Sequence, residues 1–577
     1  MPATSKTWAS PMQVSTASSD VSTSDTAQSM LVLGAITDLG PRHSSRATTV
    51  DAPFTPNISV AAAARASGLL QDADQFRAFQ ILAVVLLRGF LKSQPTTSLD
   101  PAITSARVAV ASIVDPHTTD DPLWTNRVQL MISGQGGSGK STVISAIKRF
   151  ATSWGLSDRL VVTSTTASSA LLIGGQTIHG WCGCKLATGF PQKKTRQDAF
   201  TAADVDLLLI DEVSFLNATS LGSIERHTAH IKIGKTPETN LFGGISVAFF
   251  GDLIQLQPVG YSMPFFDVNK TFYNYTKATS ALQKIGLSVW ASMTHVVFLS
   301  TNYRAKADPK YADFLTEYRQ THKVTNDHLR TLNSRRVTPT LNVPLNATWA
   351  FTKNEDAVTT NMCLVHQAAT AASQQVFRLT AEIRKSAASQ KLPPGPPLRS
   401  PLVGSGSSKV NPKSTALMPH LDLYYGCAVY IQTDDNKKCN VGIANNSKGY
   451  FFGTVPSLQS LTSVNQLVRL PNGCNATVTT LTRLPDYILL KIPTFTGSYE
   501  GLPQGVLPLP PKRINMNVHG YSMKKHVSQF PLRHTHALTV HKLQGPECIN
   551  GIAAGNLTIA HLNHIYVLLS RVRSWNS

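Results

Sequence analysis

The sequence predicts an α/β protein with two nucleotide-type cores. Apolar strand-like runs alternate with helical runs from about residue 66 to 290, and a second such series starts near 295. Between one run and the helix after it lies Gly134-Gln135-Gly136-Gly137-Ser138-Gly139-Lys140-Ser141, a G-x-x-x-x-G-K-[ST] phosphate loop.

The chain has 577 residues, 42% hydrophobic and 15% charged, a globular composition with room for several cores. Its 53 Lys+Arg exceed its 33 Asp+Glu by 53 − 33 = 20, and the pI is near 9.7. Such an excess points to a polyanionic partner, because Lys and Arg that neutralise phosphates release counterions. Seven cysteines (Cys182, Cys184, Cys363, Cys427, Cys439, Cys474, Cys548) form no C-x-x-C pair. Free thiols in a reducing compartment are expected, without a disulfide framework or zinc ribbon. The longest strongly apolar run, Ile81 to Leu87, is far below the roughly 20 residues that span a bilayer, so no membrane partner is expected.

Taken in order, residues 1–64 are rich in Ser, Thr and Ala, lack an apolar h-region, and are expected to be disordered. Asp20, Asp25 and Asp38 argue against a transit peptide. Residues 65–290 form the first core. Its strands are Val128–Ser133, Leu160–Thr163, Val205–Ile210 and Ile245–Phe250, with a helix over Ser141–Phe150 and a small insertion near 182–203. The second core starts with 291–384 (strands His295–Ser300 and Thr348–Thr352) and closes with 529–577, where His564–Leu569 reads as a strand. A Pro/Gly/Ser-rich linker occupies 385–414. A β-rich insertion follows over 415–528, with apolar runs at Ala428–Gln432, Gly449–Val455 and Tyr487–Ile492.

The chemistry follows from residue types. The glycines Gly134, Gly136, Gly137 and Gly139, with Gln135 and Ser138 between them, let backbone N–H groups turn inward around phosphate oxygens. Lys140 adds a point charge, and Ser141 can ligate Mg²⁺. Asp211-Glu212 ends an apolar run, where ligands bind in open α/β sheets. Asp211 would serve the metal, and Glu212 would orient or deprotonate a water. Gln255, just past the Ile245–Phe250 run, would sense the terminal phosphate; the bland alternative is a polar turn.

These segments, with TTASSALLIGGQTIH (165–179), NYR (302–304), FPLRHTHALTVHKLQG (530–545) and YVLLSRVR (566–573), appear in an order that resembles the Pif1-type DNA helicases, the RecD-like branch of superfamily 1B. The likeness runs from about Gln75 to Arg573. It implies two RecA-like domains, a small SH3-like β insertion, ATP and Mg²⁺ as cofactors, and 5′-to-3′ movement on single-stranded DNA with opening of duplex or forked DNA. By the same resemblance Gln75 reads the base, Gly545 lies at the nucleotide, and Arg304 and Arg571 reach the terminal phosphate. Thr166, Thr177 and His179 grip DNA on one core; Thr539, His541 and Lys542, with Gln544, do so on the other. Repair, recombination, replication or telomere maintenance would be the setting. The nucleus is the expected compartment, with the mitochondrion as the alternative, and the free chain is expected to be monomeric.

Three departures from the family pattern stand out: Ala167 in TTASSA, Gln257 at a usual proline, and Pro546-Glu547 after Gly545. The competing readings are a catalytically impaired, helicase-derived nucleic-acid-binding protein of a mobile element and an ATPase acting on proteins. His534-Thr535-His536 lacks the central apolar residue of a His-hydrophobic-His nuclease motif. The intact Lys140, Asp211, Glu212, Gln255, Arg304 and Arg571 favour a working motor.

Overall fold

The computed structural model describes residues 54–113, 127–183, 202–233, 240–256, 258, 280–336, 343–384, 389–391, 417–432, 441–516, 525–545, 547–555, 557 and 562–575. It resolves into two compact units. One joins Arg46–Val343 with Val540–Ser577; the other, over its described residues, falls within Pro344–Thr539.

The first unit is built on a six-stranded sheet: β1 (Gln129–Gly134), β2 (Leu160–Ser164), β3 (Gln176–Thr177), β4 (Leu207–Asp211), β5 (Ser246–Gly251) and β6 (His295–Leu299). Its order is β3-β2-β4-β5-β1-β6, and every pairing is parallel. Strands β1, β4 and β5 are buried along their whole length, which explains their largely apolar sequences. Alternate side chains feed two cores. Leu130, Ile132, Leu209 and Phe250 pack with Phe79, Leu86, Ile147 and Phe150 from helices Ala73–Lys92 and Lys140–Ser153. On the opposite face Met131, Ile210 and Phe249 meet Leu221, Ile224 and Leu287.

Two sequence expectations need correction here. His295–Leu299 does not open a second core; it pairs with β1 as an edge strand, from Leu130↔His295 to Gly134↔Leu299. His564–Leu569 is not a strand but the body of helix Leu562–Leu569. A short apolar run reads either way from sequence, and here the helix places Tyr566 in the core beside Asp252. Within the stretch expected to be disordered, Val60–Ala66 is a helix. Ser59 caps it, accepting from the Ala62 N–H at 3.2 Å, and Ala63 and Ala64 are fully buried.

The second unit is β-rich, as the sequence indicated. A five-stranded antiparallel sheet contains Ala428–Ile431, Lys448–Val455, Tyr487–Lys491, Val506–Leu509 and Leu532–His534. A four-stranded sheet contains Phe377–Thr380, His420–Leu423, Ser463–Arg469 and Asn475–Leu481. Both feed one core around Phe451, Ile488, Leu490 and Phe530. Thr348–Phe351 lies parallel to Ala537–Thr539. Asn361, on helix Asn354–Ala371, fixes that pair by donating to the Ala537 carbonyl at 2.7 Å and accepting from the Ala537 N–H at 2.8 Å. Within the expected linker, Ser389–Lys391 pairs with Glu382–Arg384, while 385–388 and 392–414 lie outside the described residues.

One ion cluster anchors this unit. Asp422, 5% exposed, sits opposite Arg378 on the neighbouring strand and accepts from its Nε at 2.7 Å and Nη2 at 2.6 Å. His366 Nε2 lies 2.9 Å from the same carboxylate, and His534 Nε2 lies 2.7 Å from the Asp422 carbonyl. Burial would raise this carboxyl, but the Arg378 hydrogen bonds and charge, with His366, outweigh it and hold the group well below the ordinary carboxylate range.

Candidate functional site

The loop between β1 and helix Lys140–Ser153 takes the shape its glycines permit. Gly137 and Gly139 both have φ of +88°, a left-handed conformation that a side chain would strain. Space is as restrictive as conformation. A Cβ on Gly139 would lie 2.3 Å from Gln75 Nε2, and one on Gly137 would lie 2.4 Å from Arg304 Cβ. Lys140 Nζ donates to the loop carbonyls of Gly134 at 2.5 Å and Gln135 at 3.0 Å. Burial pulls this ammonium below its ordinary value, and Asp252, Glu212 and Asp211 oppose that pull.

Asp211 and Glu212 close β4 next to the loop. Asp211 is buried, and burial first, then the Glu212 charge, pushes its carboxyl up to about 7. Glu212 has φ 55° and ψ 44°, a left-handed backbone rare for a side-chain-bearing residue. Its carboxylate accepts from Gln544 Nε2 at 3.0 Å, and the same amide donates to Ser214 Oγ at 3.1 Å. Gly545 follows, where a Cβ would meet Ser169 Oγ at 3.0 Å.

Two arginines converge on the loop from segments far apart in sequence. A Cβ on Gly136 would lie 2.9 Å from Arg304 Nη1 and 3.4 Å from Arg571 Nη2. Tyr303 N donates to the Gly137 carbonyl at 2.9 Å and its hydroxyl to Asp72 at 2.8 Å, which pins the NYR segment against the loop. Arg304 Nη1 also donates to the Ser570 carbonyl. Arg571 is 2% exposed; its Nε donates to the Val567 carbonyl at 3.2 Å and its Nη2 to Ser570 Oγ at 3.1 Å. Burial, then the Arg571 charge, pushes the Arg304 guanidinium down to about 10.

Gln255 is buried, its Nε2 3.5 Å from Asp252 Oδ2. Asp252 is a hub that sequence reading left without a role. It accepts from Tyr566 OH at 2.7 Å and from Arg319 Nε and Nη2 at 3.2 and 3.1 Å. It therefore joins the Gln255 turn to helix Pro309–Thr321 and to the helix that leads into Arg571. The G-D-x-x-Q string was visible, but nothing local in sequence marks Arg319 or Tyr566 as its partners. Gln75 is likewise committed to the loop, donating from Nε2 to the Ser138 carbonyl at 3.0 Å.

A nucleoside triphosphate with a divalent cation fits these residues. Among the described residues, the buried Gln135 Oε1, Ser138 Oγ, Ser169 Oγ, Gln255 Oε1 and Asn302 Nδ2 have no hydrogen-bond partner, and all belong to segments around the loop. Lys140, Arg304 and Arg571 supply positive charge for an anion. Ser141 and Asp211 supply hard oxygen donors for a cation.

The residues expected to contact DNA have local duties in the fold. Thr166 caps helix Ala167–Leu172, accepting from Ser169 N–H at 3.2 Å; Thr177 caps Ile178–Cys182, accepting from Gly180 N–H at 3.2 Å. His179 is half-buried, which lowers its pKa, and its Nε2 has no partner among the described residues. His541 and Lys542 lie on Val540–Leu543, where the His541 ring meets His564 edge-on at 5.1 Å. Thr539 ends a buried strand of the other unit. Cys184, Gln257, Pro546 and most of the 182–203 insertion lie outside the described residues.

Comparison with known proteins finds similarity to helicases. Residues 117–321 match the family model of the PIF1-like helicases. The chain is 33% identical over 139 residues to the ATP-dependent DNA helicase PIF3 of Trypanosoma brucei brucei, covering 23% of this chain and 16% of that protein. It is 27% identical over 207 residues to the ATP-dependent DNA helicase PIF1 of Saccharomyces cerevisiae, covering 34% and 22% respectively. These matches thus span less than a quarter of either relative. A Bacteroides Pif1 solved bound to single-stranded DNA aligns with a TM-score of 0.50 at 19% identity, covering 78% of this chain and 87% of that one, a likeness of fold.

Proposed function

From the match of residues 117–321 to the PIF1-like helicase family model, we propose that the chain is an ATP-driven motor on DNA. It would couple hydrolysis to movement along a single strand, 5′ to 3′, and to opening of duplex or forked DNA. The observation that carries this reading is the approach of Arg304 and Arg571 to Gly136 of the phosphate loop. Permanently charged, planar guanidinium groups at that place stabilise the charge that spreads over a transferring phosphoryl group.

The residues divide the work. The loop N–H groups and Lys140 bind phosphates, Ser141 and Asp211 hold Mg²⁺, and Glu212, oriented by Gln544, receives the proton of the attacking water. Bound Mg-ATP supplies the phosphoanhydride whose hydrolysis drives the cycle. Gln255 and Asp252 connect the phosphate end of the site to the helix leading into Arg571, so occupancy reaches the arginines through contiguous hydrogen bonds. Gln75 braces the loop and is placed to read the base. Thr166, Thr177, His179, His541 and Lys542, which belong to one unit, and Thr539, at the end of a strand of the other, would each contact the strand. Each base-pair step opened costs roughly 1.4 kcal/mol of stacking.

The nucleus follows as the place of work for a DNA motor, with the mitochondrion second; imaging a tagged chain decides between them. For the activity, strand displacement on 5′- and 3′-tailed duplexes should proceed only from the 5′ tail and only with ATP. ATP turnover should rise many-fold with single-stranded DNA; equal turnover with and without DNA rejects the motor.

A further inference from the structure

Glu547 lies two residues beyond Gly545, at a position where the sequence departs from the helicase pattern. Its Oε1 is 2.6 Å from Arg573 Nε and 3.7 Å from Arg304 Nε, one carboxylate oxygen shared by two guanidinium groups. The three side chains differ in exposure: Arg304 is 13% exposed, Glu547 27% and Arg573 38%. Arg304 is also the arginine beside Gly136, and its own Nη1 is bonded to Ser570.

We propose that Glu547 is a resident counter-anion of the phosphate cradle, a positioning residue that shares Arg304 with the terminal phosphate and so sets how tightly nucleotide is held. The proposal rests on the reading of this loop as an ATP site. Its physical basis is competition for one cation. Two guanidinium groups packed within reach of Gly136 repel each other, and burial makes the charge on Arg304 costly. Glu547 relieves both costs while nucleotide is absent. An incoming phosphate offers Arg304 the same negative charge, so the relief already given by Glu547 is subtracted from what binding gains. Arg573, at 2.6 Å from the same oxygen, competes with Arg304 for it. The hydrogen bond to Glu547 also raises the Arg573 pKa, the mark of a pair that holds its charge.

The arrangement makes two predictions of opposite sign. Glu547→Gln keeps the shape and removes the charge, so phosphate no longer competes with a carboxylate for Arg304. Arg573→Gln removes the competitor, so Glu547 turns fully toward Arg304. The test is calorimetric titration of the full chain with Mg²⁺ and either ADP or a non-hydrolysable ATP analogue, at fixed salt. Glu547→Gln should bind the ATP analogue roughly three- to fivefold tighter than the unsubstituted chain, the range expected for a partly exposed ion pair. Arg573→Gln should bind it roughly two- to threefold more weakly. A purely structural role would weaken binding in both. Unchanged or weaker binding in Glu547→Gln, or unchanged or tighter binding in Arg573→Gln, overturns the proposal. Arg573→Gln alone decides the matter if Glu547→Gln does not fold. Lys140→Ala separates the two levels. If the unsubstituted chain and Lys140→Ala bind the analogue equally, the ATP site itself is wrong. If only Lys140→Ala loses binding while the two charge variants match the unsubstituted chain, the counter-anion alone is wrong.

Discussion

The two units each bury a cluster of charges, and the clusters are built on opposite principles. Around Asp422 every charge is answered: Arg378 makes two hydrogen bonds to the carboxylate, His366 a third, and the carboxyl is held far below its usual range. Around the phosphate loop the charges are only partly answered among the described residues, Arg304 by Glu547 at 3.7 Å and Lys140 by carboxylates that do not offset its burial. Asp211 is pushed up to about 7, Arg304 down to about 10, and several buried polar atoms lack partners among the described residues. The first cluster holds a fold together. The second stores unsatisfied electrostatics that a phosphate anion and a metal cation would relieve.

That contrast is breakable. The largest effect is expected for Lys140→Ala, which should reduce DNA-stimulated phosphate release to background while changing the unfolding free energy by no more than about 1 kcal/mol, since the lost ammonium was itself penalised by burial. Arg571→Ala should retain nucleotide binding and slow hydrolysis by about 10³-fold; normal turnover in that variant would remove its assigned role.

At the other cluster the stability effect is the larger one. Asp422→Asn leaves Arg378 buried without its counter-charge and should cost about 3–5 kcal/mol in chemical denaturation. Because the folded-state pKa of Asp422 is depressed, its contribution is intact above the ordinary carboxylate value and is lost only as pH falls through that depressed value. A loss below about 1 kcal/mol would show that the cluster is no anchor.

Smaller effects sharpen the picture. Gln544→Ala frees the Glu212 carboxylate and should lower kcat on the order of tenfold with little change in nucleotide affinity. Stopped-flow binding and steady-state turnover, measured together, separate those quantities. In the β-rich unit, burial pushes His536 down to about 4, so the folded state disfavours its proton. Stability should therefore fall as pH drops from about 6.5 toward that value, and His536→Gln should flatten the slope in denaturation curves recorded across the interval.

The sequence by itself determined the α/β class, the phosphate loop, the carboxylate pair at the end of β4 and the β-rich character of the later segment. All of these are encoded in contiguous residues, through glycine spacing, apolar runs and turn residues whose preferences act over a few bonds. Only the tertiary structure decided which distant groups meet. Gln544 reaches Glu212 across 332 residues, Tyr566 reaches Asp252 across 314, and Arg378 faces Asp422 across 44. It also decided that His295–Leu299 completes the first sheet and that Leu562–Leu569 is helical. Short apolar stretches satisfy either geometry locally, so burial against particular neighbours settles the choice. Hydrogen bonds between remote side chains leave no period or spacing in the chain that could have announced them.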